Sequence, residues 1–223
     1  MKFSAKLACA MIGACSLMLA GVAAQAATIT GLYNTGDGVA LGTNGTELHW
    51  TLTGGTAYVG GTNGVFPLNG PWLTEDITSR WSGPTVTAGE STDPRDAGFY
   101  EYNLSFNLTA IEAAGASFSG RFAADNTVSW IQLNSTQITN GPAGGFSSWT
   151  AFSAATPAFQ VGQNDLTVRV INFGQATGNP SGLRVEFLDS TVGVVPEPGT
   201  WALMIVGFGG AGVMLRRRRA IAA

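Results

Sequence analysis

Apolar and polar residues alternate along much of the chain between residues 27 and 190, with the period of two that is typical of β-strands. The clearest case runs from Phe99 to Thr109, where every second residue is apolar and the residues between them are polar. A strand with this pattern keeps one face in the core and the other in solvent, as in an antiparallel sheet. We expect its inward row to consist of Tyr100, Tyr102, Leu104, Phe106 and Leu108.

The same alternation predicts five further strands. In the last of them Leu183, Val185 and Phe187 form the inward row. Arg184 and Glu186 are then expected outside, where charges on neighbouring strands can pair. The first of the five, at 47–53, has an inward row of Leu48, Trp50 and Leu52. The fourth, at 166–173, leaves Arg169 outside. The complete set covers residues 47–53, 117–122, 128–133, 166–173 and 183–188.

The segments between the strands have the composition of turns. Gly-Thr-Asn-Gly occurs at 42–45 and again at 61–64, and Asn-Gly predicts a hairpin because both residues tolerate positive φ. Two longer segments, 69–97 and 141–158, are rich in Gly, Pro, Ser and Thr, and we expect them to be loops. Strands and turns without long helices between them predict an all-β fold, an antiparallel β-sandwich or jelly roll.

The first 26 residues have the order of a secretory signal peptide. Lys2 and Lys6 precede an apolar run, and Ala24-Gln25-Ala26 supplies a cleavage site after Ala26. The predicted partners of this segment are the Sec translocon and signal peptidase. A lipoprotein signal ending at Cys15 is an alternative, but it leaves too short an apolar core before that cysteine.

The last part of the chain is apolar up to Leu215 and then basic. With its flanking residues the apolar run reaches the lower bound of about 17 residues for a transmembrane helix. A membrane stop of four basic residues follows the apolar run: Arg216, Arg217, Arg218 and Arg219. Because basic residues resist translocation, we expect these arginines on the cytoplasmic side of the membrane and the preceding domain on the other side.

The residues before the apolar run resemble the PEP-CTERM sorting signal of Gram-negative bacteria. The resemblance lies in Pro196, Glu197 and Pro198, followed by Trp201 and Ala202. It implies that an exosortase, a membrane enzyme, recognises the tripeptide and removes the tail. The chain would then be held briefly in the inner membrane and delivered to the cell surface or the exopolysaccharide matrix. An ordinary C-terminal membrane anchor with a proline-rich neck is the alternative.

The chain thus divides into a signal peptide (1–26), a β-sandwich ectodomain (27–192) and a sorting tail (193–223). The ectodomain has no lysine, and its five arginines against thirteen acidic residues give a formal charge of −8. Such a surface repels phosphate backbones, which excludes nucleic acid as a partner. Both cysteines of the chain, Cys9 and Cys15, lie in the signal peptide, so the mature domain has no disulfide.

The ectodomain also resembles the galactose-binding-like jelly rolls that often precede PEP-CTERM tails. This resemblance supports the fold more than any ligand, because the fold hosts binders of sugars, lipids and proteins. It is carried by residues 31–36, 48–52, 72–73, 79–81, 120–126 and 179–187.

Enzymatic chemistry has little support in the sequence, and we expect a non-catalytic protein without a cofactor. His49 is the single histidine, and no nucleophile-elbow sequence surrounds any serine. A pair of carboxylates for glycoside hydrolysis cannot be recognised among thirteen acids, so a secreted hydrolase stays a lesser alternative.

Tryptophans in the two long loops suggest carbohydrate binding, since sugar rings pack their C–H groups against aromatic faces. The candidates are Trp72, Trp81 and Trp149, with Arg80 as a polar neighbour. The alternative is that these rings close the open ends of the sandwich as part of the core. The matching alternative for the whole protein is a structural matrix or biofilm protein without a specific ligand.

A structural calcium ion is a separate expectation, taken from the resemblance to galactose-binding-like domains. Carboxylate and carbonyl oxygens are the ligands that Ca²⁺ prefers. By that analogy the candidate ligands are Asp37 and Glu186.

Overall fold

Two antiparallel sheets form the sandwich, as the alternation predicts. The computed structural model describes residues 27–60, 71–86, 97–139, 141–175, 179–194, 204–212 and 216. Its strands are β1 (Gly45–Thr46), β2 (Thr51–Leu52), β3 (Tyr58–Val59), β4 (Ser82–Gly83), β5 (Gly98–Leu108), β6 (Ser117–Asp125), β7 (Thr127–Leu133), β8 (Thr136–Gln137), β9 (Thr150–Ala155), β10 (Gly162–Asn172) and β11 (Gly182–Thr191), with one helix, α1 (Ala110–Ala114), between β5 and β6.

The strands divide into a six-stranded and a five-stranded sheet. The first has the order β1-β3-β4-β11-β6-β9 and the second the order β2-β5-β10-β7-β8. Each recorded pairing between neighbouring strands is antiparallel. This arrangement is consistent with the predicted jelly roll.

The core lies between the sheets and contains the inward rows expected from the sequence. On β5, Tyr102, Leu104 and Phe106 are buried, while Tyr100 is partly buried at the margin of the core. Their partners across the interface include Phe122 on β6 and Val185 on β11. Strong alternation therefore predicted the existence and the facing of β5, β6, β7, β10 and β11. The expectation of a loop at 141–158 is wrong for Thr150–Ala155, which forms β9.

The outward row of β11 is where the facing prediction fails. Leu183 and Val185 are buried in the core, but Arg184 and Glu186 on the opposite face are also buried, each with 1% of its surface exposed. The prediction that these two charges lie in solvent is wrong because residues 71–81, which precede β4, pack against this outer face. We call residues 71–81 the cover segment.

The predicted strand at 47–53 is shorter than expected. Its strand part is Thr51–Leu52, and Leu48 is 61% exposed rather than inward. Glu47 is buried instead, and its carboxylate accepts the backbone N–H groups of Gly36 and Leu48. These bonds draw the acidic side chain inward and turn Leu48 towards solvent.

The turn at 42–45 also differs from the prediction. Positive φ occurs at Gly42, at 79°, and not at Asn44 or Gly45. The backbone N–H of Thr43 donates to the carbonyl of Ala40, so the turn is centred on Leu41-Gly42, three residues before the expected Asn44-Gly45. The second copy of the motif, at 61–64, lies outside the described residues.

Helix α1 was not predicted, although a capping box marks its start. The Thr109 side chain accepts the N–H of Glu112, and the Glu112 carboxylate accepts the N–H of Thr109. This reciprocal pair satisfies two of the helix's free donors. The helix brings Ala113 into the core at one end of the sandwich.

The two ends of the chain are described in part. Residues 1–26, which hold the predicted signal peptide, lie outside the described residues. Residues 204–212 are helical and exposed. The predicted sorting motif, with the tripeptide at 196–198 and Trp201-Ala202, lies outside the described residues. Within the part of the chain that the structure describes, no helix is long and apolar enough to cross a membrane.

Candidate functional site

Trp72 and Trp81 of the cover segment are buried rings. They are 3% and 2% exposed, and their centroids are 4.1 Å apart. Both pack on Ala123 of β6, and a Cβ on Gly182 would come within 2.9 Å of the Trp72 ring. The structure therefore agrees with the alternative that these rings are part of the protein's own packing. They lie in a small second core on the outer face of the six-stranded sheet.

Hydrogen bonds fix both indoles in this second core. Trp72 Nε1 donates to Asp125 Oδ2 at 2.8 Å, and Trp81 Nε1 donates to the Leu73 carbonyl at 2.9 Å. Burial raises the pKa of Asp125 to about 6, although the bond from Trp72 opposes this rise. Asp125 thus ends β6 as the polar partner of a buried ring.

A network of charges lies beside the tryptophans. Glu186 accepts hydrogen bonds from Ser79 Oγ at 2.7 Å and from Arg121 Nε at 2.7 Å, and it forms an ion pair with Arg184 at 3.3 Å. Arg184 also reaches Asp76 at 3.2 Å. Buried charges are tolerated when they are paired in this way, and these pairs tie the cover segment to the sheet.

Arg80 connects the cover segment to two other loops. Its guanidinium forms an ion pair with Glu75 at 3.1 Å and donates to the carbonyls of Ala40, at 2.7 Å, and Gly60. Burial raises the pKa of Glu75, against the opposing effects of the Trp81 N–H and Arg80. Because Arg80 is 2% exposed and fully engaged, its predicted contact with a ligand has no geometric support.

Trp149 is the candidate tryptophan that keeps a partly exposed ring. It lies 4.4 Å from the Arg121 guanidinium and 4.9 Å from that of Arg184. This arrangement places an aromatic face over two cations, a stabilising contact in itself. Trp149 packs at the margin of the second core, so the structure brings the three candidate tryptophans to one side of the sheet.

A different surface has exposed aromatic and acidic groups together. Tyr33 is stacked on His49 with a centroid distance of 3.6 Å and an interplanar angle of 12°. His49 Nε2 lies 3.5 Å from Asp37 Oδ2, and the Asp37 side chain is 51% exposed. We call Tyr33, Asp37, His49 and the grooves beside them the Asp37 surface. The sequence pattern did not connect His49 with Tyr33.

Two grooves meet at Asp37. One, of about 290 Å³, lies between residues 36–41 and the 76–80 part of the cover segment, with Leu41 and the 93% exposed Ile77 on its wall. The other, of about 370 Å³, lies between residues 28–34 and 187–190 of β11 and includes Tyr33. Together they form a shallow surface with apolar walls and carboxylates, which is suited to an extended polar ligand.

Glu186 does not fit a calcium site. Both of its carboxylate oxygens are held by arginines, and the carboxylate is buried beside two positive charges that would repel a divalent ion. Within the described ranges no group of three or more His, Cys, Asp or Glu side chains could hold a metal ion. A calcium ion at Asp37 stays a prediction, and thermal stability that does not change on adding EDTA would remove its basis.

Comparison with known protein families identifies a sorting motif in the C-terminal tail. Residues 194–219 match the PEP-CTERM protein-sorting motif. A search among curated proteins found no match to the chain. PEP-CTERM motifs are substrates of exosortases, which act at the membrane on exported proteins of Gram-negative bacteria. The chain is therefore an exported, exosortase-sorted protein that carries its PEP-CTERM signal behind a β-sandwich.

Proposed function

We propose that the sandwich is a non-catalytic carbohydrate-binding domain, delivered by its sorting signal to the cell surface or the extracellular matrix. The observation that carries this proposal is the Asp37 surface, where an exposed carboxylate and a stacked aromatic pair lie between two grooves. Apolar side chains can contact the C–H faces of sugar rings there, and carboxylates can accept hydrogen bonds from their hydroxyls.

The charge of the domain narrows the ligand class. The ectodomain has a formal charge of −8, and Asp37, Asp76 and Asp189 line the two grooves. Polysaccharides rich in uronic acids would be repelled by this surface. We therefore propose a neutral polysaccharide, or one with free amino groups, as the ligand.

The experiment is co-sedimentation of residues 27–194 with neutral, amino-group-containing and uronic-acid-rich polysaccharides. We expect saturable binding to one of the first two classes. Tyr33→Ala should weaken it by about tenfold, which corresponds to roughly 1.4 kcal/mol. Phe173→Ala is the matched control, because Phe173 is 53% exposed and lines neither groove, and it should bind normally.

Asp37→Asn separates the two permitted ligand classes. The amide can still accept a hydrogen bond from a hydroxyl, but it has no charge to attract an ammonium group. We expect this variant to lose binding to an amino-group-containing polysaccharide and to keep binding to a neutral one. Binding that is strongest with uronic-acid-rich chains, or that Tyr33→Ala leaves unchanged, contradicts the proposal.

A structural matrix protein without a specific ligand is the second candidate. The burial of Trp72 and Trp81 favours it, because two aromatic platforms expected to meet a sugar belong to the protein's own packing. In that case no polysaccharide class is bound saturably. Trp72→Ala then lowers the stability of the domain without changing the amount of protein that co-sediments with polysaccharide.

A further inference from the structure

Strand β9 forms one edge of the six-stranded sheet. It pairs with β6 through all six residues, from Thr150 opposite Phe122 to Ala155 opposite Ser117, without a register shift. On its other side, the described residues supply no strand partner, and the one backbone hydrogen bond to β9 apart from its pairing with β6 runs from the Ala158 N–H to the Ala155 carbonyl in the turn that follows the strand. The other outermost strands, β1, β2 and β8, have two residues each, too few to accept another strand.

Edge strands usually carry features that prevent pairing with another molecule. Common features are charged side chains, proline, bulges and very short length. Within Thr150–Ala155 there is no charged residue and no proline, and the side chains on the exposed face are those of Ala151, Ser153 and Ala155. Among the described residues the edge of β9 is therefore regular and without a strand partner from Thr150 to Ala154, and the turn after the strand uses the Ala155 carbonyl.

The charge distribution points to the kind of partner. Between Asp125 and Asp165 the sequence contains no charged residue and no histidine, and this stretch includes β7, β8 and β9. The rest of the ectodomain carries its −8 formal charge and would repel a second copy of itself. The side of the sandwich that holds β9 is thus where two copies can approach with the least repulsion.

We propose that β9 pairs antiparallel with β9 of a second copy of this chain, which joins two six-stranded sheets into one across a two-fold axis. Such an interface uses the same patch on both molecules and closes on itself. Each strand keeps its buried face, with Phe152 and Ala154, towards the cores. Ser153 of one copy then lies opposite or next to Ser153 of the other. This inference does not depend on sugar binding, since neither groove includes β9.

The test is sedimentation velocity on residues 27–194, which contain both sheets and every described core residue. The unmodified protein should show a monomer–dimer equilibrium between roughly 1 µM and 1 mM. Ser153→Lys and Ser153→Glu should each be monomeric, because like charges opposite each other in a strand pair are repulsive. An equimolar mixture of the two should form dimers again, because the opposed charges then attract.

Asn107→Lys is the matched control, since it adds the same charge at an exposed position of β5, in the other sheet and outside the uncharged stretch. It should dimerise like the unmodified protein, and equal melting temperatures would show that all variants are folded. A folded unmodified protein that is monomeric throughout this concentration range overturns the proposal. So do Ser153 variants that still dimerise, and folded Lys and Glu variants whose mixture stays monomeric.

Discussion

Asp125 shows how the environment of one residue can depart from what its sequence neighbours suggest. Next to Asn126 it resembles a turn residue, yet 3% of its surface is exposed and it accepts the Trp72 indole N–H. Nothing in the local sequence predicts this partner, which lies 53 positions away. Local patterns report a residue's own strand, whereas burial by a distant segment depends on the tertiary structure.

The raised pKa of Asp125 predicts a pH effect on stability. Its ordinary value is 3.8, and burial raises it to about 6 in the folded protein. The folded state therefore binds this proton more tightly than the unfolded chain, so the stabilisation is complete below about pH 4 and is lost as pH rises through 6. Lowering the pH from 7.5 to 5 should raise the free energy of unfolding by about 1.4 kcal/mol from this residue, and the full value of about 3 kcal/mol is reached only below pH 4.

Asp125→Asn tests this assignment, because an amide can still accept the Trp72 bond but does not titrate. Guanidinium unfolding at several pH values should show a smaller pH dependence for the variant between pH 4 and 7.5. The buried Glu47 and Glu75, whose pKa values burial also raises, should leave a residual dependence of the same sign. Identical pH dependence in both proteins would show that Asp125 is not the titrating group.

At the scale of elements, alternation was a good guide to the long strands and a poor one to what covers them. It predicted β5, β6, β7, β10 and β11 because each has one apolar face. It placed Arg184 and Glu186 in solvent because a period of two distinguishes the two faces of a sheet and cannot reveal a second layer. The cover segment has no regular pattern, and its two tryptophans are the signal that could have indicated packing against that face.

The buried charge network of the cover segment can be compared with an exposed pair of the same kind. Glu186→Gln would leave the buried Arg184 without its enclosed counter-charge and should cost about 3 kcal/mol of stability. Glu101→Gln is the matched control, because Glu101 pairs with Arg169 in a partly exposed position and should cost less than about 1 kcal/mol.

Urea unfolding of both variants measures this difference. A similar loss of stability for the two would mean that the cover segment is held by the packing of Trp72 and Trp81 and not by its charges. Trp72→Ala would then be the more damaging change, since removing a buried tryptophan costs roughly 3–5 kcal/mol.

At the scale of the whole molecule, the chain combines a folded domain with a C-terminal sorting motif. The sorting motif could be recognised from the sequence because its residues are read directly by another protein and need no fold to be identified. The Asp37 surface could not be recognised in this way, since Tyr33, Asp37 and His49 come together through the turns that surround Glu47. The sorting motif is therefore legible in the sequence, whereas the proposed binding surface depends on the tertiary structure.

The most direct test of the central claim, export followed by removal of the tail, is the intact mass of the protein recovered from outside its native cells. The account predicts a chain that begins at Ala27 and ends before the apolar run that follows Trp201 in the sorting tail. In cells that lack the exosortase, the same protein should retain its C-terminus through Ala223 and stay with the inner membrane. An extracellular protein that keeps Arg216 to Arg219, or a tail removed equally well without the exosortase, would contradict the account.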